Sequence, residues 1–62
     1  MSGTSDRELE LAERVRAACI EAAVAGYRDA AIRGLCGEGA LEAAISAIRG
    51  LELARLVDDP AD

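Results

Sequence analysis

The sequence predicts an all-α protein: a helical hairpin with a long first helix, a Gly-rich turn and a shorter second helix. Three observations carry that prediction. Residues 6 to 33 are rich in Ala, Glu, Arg and Leu and contain no Pro, a composition of strong helix formers. Leu41, Ala44, Ile45, Ile48 and Leu51 recur at the i, i+3, i+4, i+7 spacing of one helix face. Between these segments, three glycines fall within positions 34 to 39, and no stretch alternates with the period of two that a strand requires.

The first five residues read as a short disordered leader. Ser5 and Glu8 then stand at capping-box spacing, in which the Ser side chain accepts from the backbone N–H of Glu8 and the Glu reaches back. Thr4 is the alternative cap. Asp6, Glu8 and Glu10 add negative charge at the positive end of the helix dipole. On a helical wheel, Glu10, Glu13, Arg14, Ala17, Glu21 and Arg28 share one side. Ala12, Val15, Cys19, Ala22, Ala23, Gly26 and Ala30 occupy the other, with Ile20, Val24, Tyr27 and Ala31 on a flank and Leu11 and Ala18 at the far edge. Arg33-Gly34-Leu35 reads as a stop: Gly34 supplies the left-handed residue and Leu35 folds back.

The second helix is expected to begin near Gly39 or Ala40, with Glu42, Ser46 and Arg49 turned outward. Gly50 either caps it, leaving Leu53, Leu56 and Val57 to a short third helix, or is carried through to Val57 at a cost of about 1 kcal/mol; the cap is the expected form. Residues 6–57 thus form one domain, and 58–62 an acidic tail. Heptads are not sustained, so a long coiled coil is not expected.

Composition limits both stability and function. Fourteen of the 62 residues are Ala, and Tyr27 is the single aromatic residue. A chain this short buries only about 60% of the surface its unfolded form exposes. With so little side-chain volume, association with itself or with a larger subunit is the expected remedy, for example two hairpins assembled into a helical bundle. Leu11, Val15, Cys19, Ile20, Val24 and Tyr27 on the first helix, and Leu41, Ile45 and Ile48 on the second, are the expected core and contact residues.

Twelve acids against seven Arg leave a net charge of −5. No basic stripe is present to meet phosphate, so no nucleic-acid partner is expected, nor an anionic membrane surface. No run approaches 18 apolar residues, and residues 1–6 lack the charged and apolar regions of a secretory signal, so a cytoplasmic protein is expected.

Catalytic chemistry finds little support. His and Lys are absent, so Cys19, Cys36, Ser46 and Tyr27 have no nitrogen base beside them in this chain. The pairs Glu10 with Glu13 and Glu38 with Glu42 share helix faces, but a di-iron bundle site requires Glu-x-x-His. Glu10 is also expected to pair with Arg14 at i, i+4. Gly37-Glu38-Gly39 is unlike a phosphate loop, because no strand precedes it, no Lys follows, and an acid sits between the glycines. No catalytic residue, cofactor or metal is therefore assigned.

The two thiols are expected to stay apart. With one helix over 6–33, Cys19 lies about 21 Å from the helix end, and three more residues return about 10 Å, whereas a disulfide needs Cα atoms within about 7 Å. Cys36, near a helix end, is the candidate reactive thiol, and a redox-sensing or site-completing factor is the alternative function. Finally, Gly39 followed by Ala44-Ile45, with Tyr27 upstream, resembles the middle of a tetratricopeptide-type helix pair. One such unit could not bury its own faces, and the spacing reads as convergent helix–turn–helix packing.

Overall fold

The computed structural model describes residues 5–57, which form three helices and no strand: α1 (Asp6–Ile32), α2 (Gly37–Arg49) and α3 (Leu53–Val57). The helical hairpin is as the sequence predicts. The leader before Ser5 and the tail 58–62 lie outside the described residues.

The α1 start follows from local hydrogen bonding. The Ser5 hydroxyl accepts from the Glu8 N–H at 3.2 Å, and the Glu8 carboxylate accepts from the Ser5 N–H at 3.0 Å. Ser5 rather than Thr4 is therefore the cap, and both bonds satisfy donors that the first turn leaves open. At the other end Gly34 takes a positive φ of 90°. Its N–H donates to the Ala31 carbonyl and that of Leu35 to the Ala30 carbonyl, both at 3.0 Å, the paired bonds of a Schellman stop.

α2 begins at Gly37, with Cys36 as N-cap, two to three residues before the expected start at Gly39 or Ala40. Glycine is costly in a helix interior, but here both glycines lie in the first turn. Leu35 lies over Gly39, where an added Cβ would sit 3.2 Å from Leu35 Cδ2. The Ala40 N–H donates to the Cys36 carbonyl at 2.8 Å. Gly50 ends the helix, as expected, although its φ of −82° is right-handed and does not require glycine. The short α3 follows, tied to α1 by Arg14, whose Nη1 donates to the Leu56 carbonyl at 2.8 Å. The expected Glu10–Arg14 pair does not form, because Arg14 serves as this tether. The ion pairs present are Glu13–Arg16, Asp29–Arg33 and Glu52–Arg55, all exposed and individually worth little.

The seam between α1 and α2 is made of very small residues. At Gly26 a Cβ would come within 2.9 Å of the Ala43 carbonyl oxygen and 3.2 Å of the Ala44 Cα. Backbone therefore meets backbone at this point. Around it the fully buried residues are Ala30 and Ala40, each 1% exposed, and Ala44, 7% exposed. No larger side chain among the described residues is fully buried. The chain spans 45 × 29 × 13 Å, so its thinnest dimension is close to that of one helix.

Two substitutions separate close approach from helix propensity. Gly26→Ala gains about 1 kcal/mol of propensity but collides with backbone that cannot give way, an overpacking cost of roughly 1–3 kcal/mol. It is expected to lower the denaturation midpoint. Gly37→Ala meets nothing within 4 Å and is expected to raise stability by about 0.4–1 kcal/mol. Urea unfolding followed by circular dichroism measures both.

Candidate functional site: an apolar face and an exposed thiol

The expected core and contact residues divide into two groups. Leu11, Val15 and Cys19 are half-buried on the inner face of α1, together with Ala18, Ala22, Ala23 and Gly26. Ile20, Val24 and Tyr27, and Leu41, Ile45 and Ile48, are instead 36–57% exposed. The large members of the α2 stripe thus stay partly open to solvent rather than fully inward. Ala40, Ala43, Ala44 and Ala47 take the inward side, because only methyl-sized groups fit where the backbones approach at Gly26. Tyr27, likewise expected mainly in the core, is 46% exposed.

These six exposed side chains share one side of the molecule. The inner faces of α1 and α2 centre near Gly26 and the Ala44 region. Relative to those, Ile20, Val24 and Tyr27 lie round α1, and Leu41, Ile45 and Ile48 round α2, by about 80–160° in the same sense at 3.6 residues per turn. Because α2 runs back along α1, rotations of the same sense on the two helices end on the same side of the hairpin. The opposite side carries Glu21, Ala25, Asp29 and the 84% exposed Ile32 from α1, and Glu42 and Ser46 from α2.

Both cysteines are free thiols. α1 runs unbroken through Gly26, which preserves the separation expected from the sequence. Cys36 is exposed at the N-cap of α2. Its side chain makes no capping hydrogen bond, and the neighbouring Gly39 and Glu38 backbone N–H groups hold its thiol below the ordinary value. A thiol lowered by a helix N-terminus is the arrangement the sequence suggests for Cys36. Among the described residues no three His, Cys, Asp or Glu side chains come together as a metal-ligand set, and no helix is long and apolar enough to cross a membrane. An open hollow of about 290 Å³ lies between the first turns of α1 and Val57. Arg7 and Arg14 line it with Glu8 and Glu10, so its charges balance and select for no ligand.

The geometry defines a class of protein: a one-layer helical hairpin with an apolar side and a polar side. Comparison with known protein families, with curated proteins and with solved structures finds no significant match.

The two thiols differ in access and in charge stabilisation, which yields a direct test. Iodoacetamide is expected to label Cys36 well before Cys19 in the folded chain. The pH dependence of Cys36 labelling should have its midpoint below the ordinary thiol value, as read by peptide mass spectrometry over pH 6 to 10. Equal rates at both cysteines would contradict this placement.

Proposed function

We propose that this protein is a non-catalytic association module, a small acidic helical hairpin that acts by packing against protein. It would serve in the cytoplasm, as a homo-oligomer or as an accessory subunit of a larger complex. One observation carries the reading: the described residues bury only alanines fully, while six large apolar side chains share an open side. Domains reach stability by closing two layers over a core, and this chain supplies one layer. Within this reading Leu11, Val15 and Cys19 hold the hairpin together, and Ile20, Val24, Tyr27, Leu41, Ile45 and Ile48 make the outside contact. The negative charge and the lack of a basic patch disfavour nucleic acid as the partner.

A weak isolated hairpin is the expected consequence. At submicromolar concentration the chain should melt broadly, or below the roughly 45–65 °C typical of mesophilic domains. Circular dichroism at high dilution reads this. A monomer with a sharp transition well above that range would reject the association reading.

A second reading rests on the exposed, thiolate-favouring Cys36 and makes the protein a redox-sensing or site-completing factor. Cys36→Ser separates the two. Under the first reading it leaves association and melting unchanged; under the second it abolishes the biological effect while the helices stay intact.

A further inference from the structure

Resting on the association reading, we infer that the partner is a second copy of this chain, seated face to face on Ile20, Val24, Tyr27, Leu41, Ile45 and Ile48 to form a four-helix bundle.

Size is the first reason. With the alanines between them, the six side chains present on the order of 600 Å². That exceeds the few hundred Å² at which an exposed apolar patch marks an interaction site and approaches the roughly 800 Å² a side of a standard interface. Shape is the second. The patch is two helices wide, and α1 residues 20 to 31 give it a length of about 17 Å. A second two-helix layer matches that outline row for row. Each bundle needs two such layers, and the 13 Å thickness of the chain supplies one.

Charge is the third reason, and it decides between a copy and a basic partner. Charged side chains stand at the edge of the patch, where Glu42 and Arg49, of opposite sign, share a hollow with Ile45. Towards the amino end of α1, the same side carries Glu13 and Arg16, which neutralise each other at 3.4 Å. An electrically neutral side does not select a cationic protein; it suits a surface equally neutral, such as its own. The net charge of −5 does not forbid self-pairing. Glu21 and Asp29 on α1 and Glu42 on α2 lie on the opposite side. Face-to-face pairing holds these acids of the two copies about 20 Å apart, more than twice the roughly 8 Å screening length at physiological salt.

Tyr27 provides an internal probe. With Trp and Phe absent, the tyrosine emission of the protein reports on this patch alone. The test uses the purified full chain from 0.5 to 200 µM. Sedimentation equilibrium should show passage to about 12.8 kDa, twice the 6.4 kDa of one chain, and acrylamide quenching of Tyr27 should fall over the same concentrations. Val24→Glu and Ile45→Glu, each placing a charge inside the contact, should weaken the dimer about a hundredfold or more. Glu21→Arg on the opposite side should weaken it less than threefold. Far-ultraviolet circular dichroism of the variants at one concentration separates lost pairing from lost helix. A dimer insensitive to both face substitutions, or one that leaves Tyr27 equally quenchable, overturns the proposal. So does a chain that stays monomeric at 200 µM. If that monomer is also weakly folded at high dilution, the association reading stands with a different partner; if it is sharply and highly stable, both fall.

Discussion

The closest approach of the two long helices occurs at Gly26, and most of the structure depends on it. With no Cβ at this position, the α1 backbone comes against the Ala43 carbonyl and the Ala44 Cα. Such an approach can be sustained only by neighbours of similar size, and alanines at 30, 40 and 44 provide them. Close contact gains dispersion energy over many atom pairs, but alanine methyls remove little apolar area from water. The seam is tight and its hydrophobic yield is small. Leu11 and Val15 stay half-buried on the inner face of α1, while Ile20, Val24, Tyr27, Leu41, Ile45 and Ile48 are displaced to one side. The open apolar face and the close seam therefore have one geometric origin.

Helix ends were legible in the sequence wherever the determining hydrogen bonds are local. Ser5 with Glu8 and Gly34 with Leu35 each fix a terminus within a few residues, and the structure has both. Gly50 follows the same logic. The start of α2 was less legible, because Gly37 and Gly39 read as turn residues, although Leu35, four residues before Gly39, lies over it in the structure. In α2, Ala44 is buried as expected and Glu42, Ser46 and Arg49 are exposed, but Leu41, Ile45 and Ile48 are 36–55% exposed. A periodic stripe of Leu and Ile ordinarily marks the buried side, and that rule assumes large residues reach the core first. Here Gly26 had already decided which groups fit. The signal that could have corrected it was the parallel row of Ala40, Ala43, Ala44 and Ala47, matched in size to the glycine opposite.

The two sides of the layer also differ in kind. One is aliphatic and aromatic with a self-neutralised ion pair at its border; the other carries acids, Ala25 and Ser46, with Ile32 its one large apolar residue among those named. Charged residues kept off an apolar surface leave contact there cheap in desolvation, while those on the other side limit indiscriminate stacking and help solubility. Cys36 lies at the hairpin end, beyond the residues 20 to 31 that flank the apolar patch on α1. A change at its sulfur can occur without entering the seam, so thiol chemistry and packing are separable features of this chain.

The tight link through Gly34 has a kinetic side. Ala30 and Ala40, the two most buried residues, stand ten positions apart around it, so the first helix–helix contacts close a very short loop. Closing ten residues takes about 10–100 ns, and folds dominated by nearby contacts form in microseconds to milliseconds. Meeting another molecule at micromolar abundance takes far longer, with docking rates of about 10⁵–10⁷ M⁻¹s⁻¹. Under the proposed pairing, contact between the helices of one chain therefore precedes contact between chains by a wide margin.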